Sequence, residues 1–277
     1  MSPNGEITIS APLKKVEGVV IPNGFEHVSG TKVADGLVIK NKTDGNEFVW
    51  VPVEAGTFER NGFGTDLSSY SEPYEEPGYT SEKAEYDAMV ASVEKYGGFY
   101  IGRYEASETS QGSGVAQSKQ GKTPWSEICW GENMTDINGN GAVGKARAVY
   151  PDSSEKKAGD AISTLTYGVQ WDAMIKFIKL NYPEIVEKSS EYGYWDSDYA
   201  TTTGSATKYA LNNIYDVVGN LWEWTMEIWK NGSGNYRVVR GSSFDTQFDG
   251  ALISRIDFPI TTELNPYGGF RIALYIK

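Results

Sequence analysis

Cysteine and histidine are nearly missing from this chain: each occurs once in 277 residues, as Cys129 and His27. A single cysteine excludes an intramolecular disulfide, a CxxC redox pair and a cage of thiolate ligands. A single histidine excludes a His-rich zinc site and the two-histidine iron triad. His27 lies between Glu26 and Val28 in a strand-like run and is expected to be an ordinary surface or edge residue. GxSxG, P-loop and GxGxxG signatures are also lacking. No stretch approaches the roughly 18 consecutive apolar residues of a membrane span, and MSPNGEITISAP has neither the charged nor the apolar region of a secretory signal. Positive charge is in deficit, with 25 Lys and Arg against 37 Asp and Glu and a net charge of −12. Such a field repels phosphate backbones and anionic lipid, so neither nucleic acid nor membrane insertion is expected.

What the chain does have is 31 glycines and 18 tyrosines against only 5 methionines. That balance favours tight turns and aromatic packing over helical bundles. EITIS, VEGVVI and GLVIKN read as short strands separated by turns, and residues 1–45 are expected to form a β extension. FVWVPVEAGTF and GGFYIGRYEAS read as strands, and residues 61–78 as a long Gly-, Ser-, Pro- and acid-rich surface loop. Two helices are expected. SEKAEYDAMVASVEKYGG places Tyr86, Met89, Val90 and Val93 on one stripe and stops at Gly97-Gly98, while GVQWDAMIKFIKLN does the same with Val169, Ala173, Met174, Phe177 and Ile178 before Pro183.

DVVGNLWEWTMEIW is more demanding. In an extended chain Trp222, Trp224 and Met226 face one way, and Leu221, Glu223 and Thr225 the other. Indole burial accounts for the tryptophans. A carboxylate among bulky apolar groups needs a cation or several donors, and the candidates for Glu223 are Arg240, Arg271 and a calcium ion. Asp136 to Gly141 matches the first half of an EF-hand loop, but Arg147 stands where a bidentate Glu is required, so a glycine-rich surface turn is expected there. The acidic pairs Glu75-Glu76 and Asp196/Asp198 read as solvated surface rather than as glycosidase carboxylates.

The segment from Arg240 to Arg271 carries large apolar side chains with neither strand nor helix periodicity. GNLWEWT, RVVRGSS and GGFRIALYIK, in that order and spacing, resemble the formylglycine-generating-enzyme (sulfatase-modifying factor) family. The resemblance runs over about residues 46–277, with FVWVPVEAGTF and GGFYIGRYEAS similar to its opening strands and GVQWDAMIKFI to its second helix. It implies an α+β, C-type-lectin-like fold with two helices, short antiparallel sheets and long loops over 46–277, behind the extension of residues 1–45. It also implies a calcium site formed by the backbone near Val218, Gly219 and Leu221 with the carboxylate of Glu223. The family's enzymes oxidise a substrate cysteine with copper held by two cysteines shortly after the RGGS motif. No cysteine follows Arg240-Gly241-Ser242-Ser243 here, which removes the soft ligands copper(I) requires.

The chain is more similar to a second branch, the variable proteins of diversity-generating retroelements. There the segment from the RGG-like motif to GFR is rewritten at template adenines and displays ligand-binding side chains on a fixed scaffold. Randomised AAY codons yield Phe, Ile, Leu, Asp, Thr, Ser, Tyr and Gly but not Trp, Met, Lys, Gln or Glu, and between Phe244 and Tyr267 only Gln247 and Glu263 belong to the second set. The resemblance thus implies a non-enzymatic ligand-binding protein on a virion or bacterial cell surface, with a protein or glycan on a target cell as partner. No cofactor is required, and calcium is the one candidate. The expected binding residues are Phe244, Asp245, Thr246, Phe248, Asp249, Ile256, Asp257, Phe258, Ile260, Leu264 and Tyr267, while Trp222, Trp224, Arg240, Phe270 and Arg271 are expected to be buried. Three alternatives stand beside this: a metal-dependent oxidoreductase of the sulfatase-modifying-factor type, a structural module of a phage tail or surface fibre, and an ordinary core strand of Leu252, Ile253, Ile256 and Phe258 with Arg255 and Asp257 outward.

Overall fold

The computed structural model describes residues 13–73, 80–131, 139–230 and 236–277. The EITIS strand, the Glu75-Glu76 pair and the first half of the EF-hand-like stretch, residues 136–138, lie outside the described residues. Six antiparallel strands form the larger sheet, in the order Ala161–Leu165, Ile272–Ile276, Gly98–Gly102, Glu47–Pro52, Val38–Asn41 and Phe25–His27. Its central strands read as continuous apolar runs because both faces are covered: Phe48, Val49, Trp50 and Val51 are all buried, as are Phe99, Tyr100 and Ile101. Phe25–His27 and Val38–Asn41 belong to this same sheet, so residue 46 does not separate an extension from a domain. His27 ends the edge strand, its Nε2 2.8 Å from the Thr31 carbonyl.

The smaller sheet is built around Trp222–Trp229. Tyr236–Arg240 pairs antiparallel to one side of it, with Ile256–Pro259 beyond, and Gly268–Phe270 runs parallel on the other side. Every residue from Trp222 to Ile228 is buried, the acidic ones included.

Helix α1 (Thr80–Tyr96) places Met89 and Val93 in the core and ends where Gly97 takes a φ of 78° and donates its N–H to the Val93 carbonyl. That left-handed closure costs glycine little and any other residue more. The two expected helices are both present, and a third, α2 (Ala142–Val149), lies between them. It escaped the periodicity argument because it is only 8 residues long and buries small side chains, Ala142, Val143 and Ala146. Arg147, which disqualified the EF-hand reading, sits in its last turn and donates from Nε to Glu85 of α1 at 2.7 Å. Helix α3 (Gly168–Lys179) packs against strands of both sheets and buries Val169, Trp171, Met174, Ile175 and Ile178.

Candidate functional site

The segment from Arg240 to Arg271 is held by three buried arginines at its start, middle and end. Arg240 donates to Asp172 Oδ1 at 3.0 Å, to Glu227 Oε2 at 3.2 Å and to the Ser254 carbonyl at 2.8 Å. Arg255 donates to Glu227 Oε1 at 2.9 Å and to both oxygens of Asp172 at 2.8 Å. Arg60 completes the cluster, 2.7 Å from Glu227 Oε1. Burial pushes the Glu227 carboxyl up, but Arg240, Arg255 and Arg60 outweigh it, and its pKa falls below the ordinary value. The outward orientation of Arg255 weighed above is therefore corrected. Two carboxylates from other parts of the chain draw the guanidinium inward, since a charge is buried only where it is paired.

Arg271 closes the segment against Glu223, with Nε 3.1 and 3.0 Å from the two carboxylate oxygens, and donates to the carbonyls of Gly102 at 3.0 Å and Tyr215 at 2.8 Å. Of the two arginine candidates for Glu223, Arg271 is its partner, and Arg240 serves Glu227 instead. Two further buried carboxyls face Arg271. Glu105 accepts from the Leu221 N–H at 3.1 Å and from the Asn220 amide, and Asp216 accepts from the Gly204 N–H at 2.7 Å. Burial, with the charges of Asp216 and Glu223 added, raises Glu105 well above its ordinary pKa, and burial lifts Asp216 to about 6.

This donor set does not fit calcium. Both oxygens of Glu223 already face the Arg271 guanidinium, and a divalent cation on that carboxylate would stand against the same positive charge. Among the described residues no group of three or more His, Cys, Asp or Glu is placed to hold a metal ion. Copper held by paired thiolates does not fit either, since Cys129 is the chain's one cysteine.

Within this frame the expected binding residues divide. Asp245, Thr246, Phe248 and Asp249 are exposed on one loop, Ile256 is 39% exposed and Tyr267 40%, and Asp257 and Phe258 are half-buried. Phe244, Ile260 and Leu264 are corrected: they are core residues, at 2%, 4% and 8% exposure. The Phe244 backbone is pinned on both sides, its N–H donating to the Asn220 carbonyl at 2.9 Å and its carbonyl accepting from Asp196 at 2.7 Å. Its ring lies beneath Tyr267, stacked at 5.4 Å, so Tyr267 takes the outer position and Phe244 the inner one. Leu264 fills the space against Gly268, where an added Cβ would come within 2.4 Å of the leucine's own. The ordinary-core-strand alternative fails in part as well: Leu252 is buried, but Ile256 faces solvent on an edge strand.

Asp249 is fixed by Ser190, whose N–H donates at 3.3 Å and whose hydroxyl donates at 2.5 Å, and Asp245 accepts from Ser243 at 2.6 Å and Thr246 at 2.9 Å. Trp222, Trp224, Arg240, Phe270 and Arg271 are all buried, as expected. Sequence reasoning missed Asp172, Glu227 and Arg60. The legible signal was Glu227, a second acid in the same apolar strand as Glu223, which demands a second cation.

A family model described as the sulfatase-modifying factor enzyme 1-like domain matches residues 36–276. No curated protein matches the chain. Among solved structures it is similar to CarF, at 16% identity over 65% of this chain and 87% of that one, with a TM-score of 0.42. It is also similar to PvdO from Pseudomonas aeruginosa, at 12% identity over 86% and 98%, TM-score 0.42, and to Treponema denticola variable protein 1, at 12% identity over 93% of each chain, TM-score 0.35. At these levels the solved structures carry no argument, whereas the family match spans nearly the whole chain. With its α+β, C-type-lectin-like architecture, the chain belongs to the sulfatase-modifying factor enzyme 1-like domain family.

Proposed function

We propose that this protein binds a ligand through a diversified C-terminal surface and catalyses no reaction of its own, in the manner of a variable protein of a diversity-generating retroelement. One observation supports this above others. Asp245, Thr246, Phe248, Asp249, Ile256 and Tyr267 stand outward on a backbone that Arg240, Arg255 and Arg271 tie into buried ion pairs. The scaffold's stability is thereby separated from the identity of the outward side chains, because loop residues on a rigid frame vary at little cost. Exposed Phe248, Ile256 and Tyr267 supply apolar contact of the kind binding sites use, and Asp245 and Asp249 supply a polar rim. The partner is a protein or glycan on a target cell, met from a virion or bacterial surface.

Family membership favours one other reading, a metal-dependent oxidoreductase. It would need a centre built without paired cysteines or histidines, which soft-metal chemistry disfavours. Sequencing this gene and its flanks in sibling isolates separates the two. A nearby reverse transcriptase gene, a near-copy of the 3′ end, and substitutions concentrated at adenines in the codons for 245–267 are expected. A segment identical in every isolate, with changes spread through the scaffold, would overturn the proposal.

A further inference from the structure

A groove of about 610 Å³ runs between the turn at Glu108–Gln111 and the stretch Lys122–Glu127. It is made wholly of residues outside 240–271. Its lining is almost entirely polar, with hydroxyls, an amide, two carboxylates and one lysine around a single half-exposed indole, Trp125. A site for an apolar small molecule would be lined chiefly by hydrophobic and aromatic side chains, and a polyanion would meet the carboxylates of Glu108 and Glu127, which balance Lys122 in the lining and Lys145 beside Trp125 and leave no excess positive charge. Many short polar groups around one aromatic surface match instead a neutral sugar, which presents hydroxyls on its rim and C–H groups on its face.

The groove is also preformed. Glu108 accepts from the N–H groups of Gly112 and Gly114 at 2.8 Å each, which locks the near wall. The far wall is pinned by the Trp125 N–H on the Ala106 carbonyl at 2.8 Å and by the bridge between Glu127 and Gly268. Lys145 Nζ and the Phe270 ring each sit 5.9 Å from the Trp125 ring centre and hold the indole in place. Rigid walls reduce the ordering cost that otherwise consumes the small binding energy of a sugar.

We infer that this groove is a constant saccharide site, taking a short neutral oligosaccharide with Trp125 as the stacking surface and Glu127, Gln111 and Lys122 as hydrogen-bonding groups. It goes beyond the diversified surface and does not depend on it. The test is saturation-transfer NMR of the whole chain with maltotriose, cellotriose and chitotriose as probes. At least one is expected to receive saturation at about 10 mM, the regime of weak sugar binding, and to bind about tenfold more weakly to Trp125→Ala. Ser110→Trp, at an exposed position on the rim, fills the groove while leaving Trp125 in place and is expected to have the same effect, which guards against a folding defect in Trp125→Ala. A Phe248→Ser, Ile256→Ser, Tyr267→Ser variant is expected to bind the sugar unchanged. No transfer to any of the three, transfer that survives Ser110→Trp, or saturation only of a Ser/Thr-rich hexapeptide would overturn the inference, whatever becomes of the diversified surface.

Discussion

At the scale of single residues, buried charge governs this protein. Glu223 and Arg271 are each fully enclosed and complete one another. Glu223→Ala should therefore leave a buried guanidinium facing only carbonyls and the two raised carboxyls, at a cost on the order of 3 to 5 kcal/mol for a broken buried pair. Urea denaturation measures this, and a stability equal to wild type would refute it. A chelator should leave the melting temperature where it was, because the Glu223 carboxylate is committed to Arg271 and an ion stabilises the folded state by mass action only where it binds. Glu72 tests the same physics by titration. Burial, reinforced by the negative charge of Glu227, lifts its carboxyl to about 8. In the unfolded chain that group ionises in the ordinary carboxylate range near 4.3. The folded state thus holds a proton that the unfolded state releases, so the contribution of Glu72 is fully present below the ordinary range and is lost as pH rises through about 8. Glu72 should make the melting temperature fall from about pH 4 to about pH 8, and Glu72→Gln should flatten that fall, while parallel pH profiles for the two proteins would show that Glu72 does not titrate there.

At the scale of elements, the 240–271 segment is neither a strand nor a free loop but a chain of short pieces strung between anchors. Its aromatics look alike in sequence and behave oppositely in the fold. Phe244 sits at 2% exposure under Tyr267, so Phe244→Ser should cost several kcal/mol, in the range of about 3 to 5 found for emptying a buried aromatic site. Phe248→Ser, Ile256→Ser and Tyr267→Ser together should shift the melting temperature by only a few degrees, because exposed changes usually cost less than about 0.5 kcal/mol each. Thermal melts of both variants decide the matter. If the triple variant melts far below Phe244→Ser, the assignment of inner and outer faces is wrong. Alternation could not have sorted these residues, since turns with left-handed positions such as Ser242, at a φ of 72°, reset which side of the chain faces in.

At the scale of the whole molecule, the N-terminal strands matter more than their place in the sequence suggests. Phe25–His27 and Val38–Asn41 extend the larger sheet beyond Glu47–Pro52, and the covering they provide keeps Phe48 and Trp50 dry. Deleting residues 1–45 should lower the melting temperature sharply or send the protein into aggregates, because it opens a long apolar edge to other chains. A soluble 46–277 fragment with an unchanged melt would restore residue 46 as a true boundary.

The sequence by itself determined a good deal. Its single cysteine and single histidine ruled out whole classes of metal and redox chemistry, because ligand sets need numbers. Long, regular elements such as α1, α3 and the strands at 47–52 and 98–102 were legible, because their apolar periods or runs are set by local geometry. The family motifs placed Arg240 and Arg271, two of the three arginines that anchor the C-terminal segment. Only the tertiary structure decided which partner each charge would have: Arg255 joins Asp172 and Glu227 across 83 and 28 residues of chain, a pairing no local pattern encodes. It also decided that Phe244, Ile260 and Leu264 go in while Phe248, Ile256 and Tyr267 stay out, and that Glu223 faces a guanidinium. The physical reason is the same in each case: burial is a property of what the rest of the chain brings to a residue, and sequence neighbours do not report it.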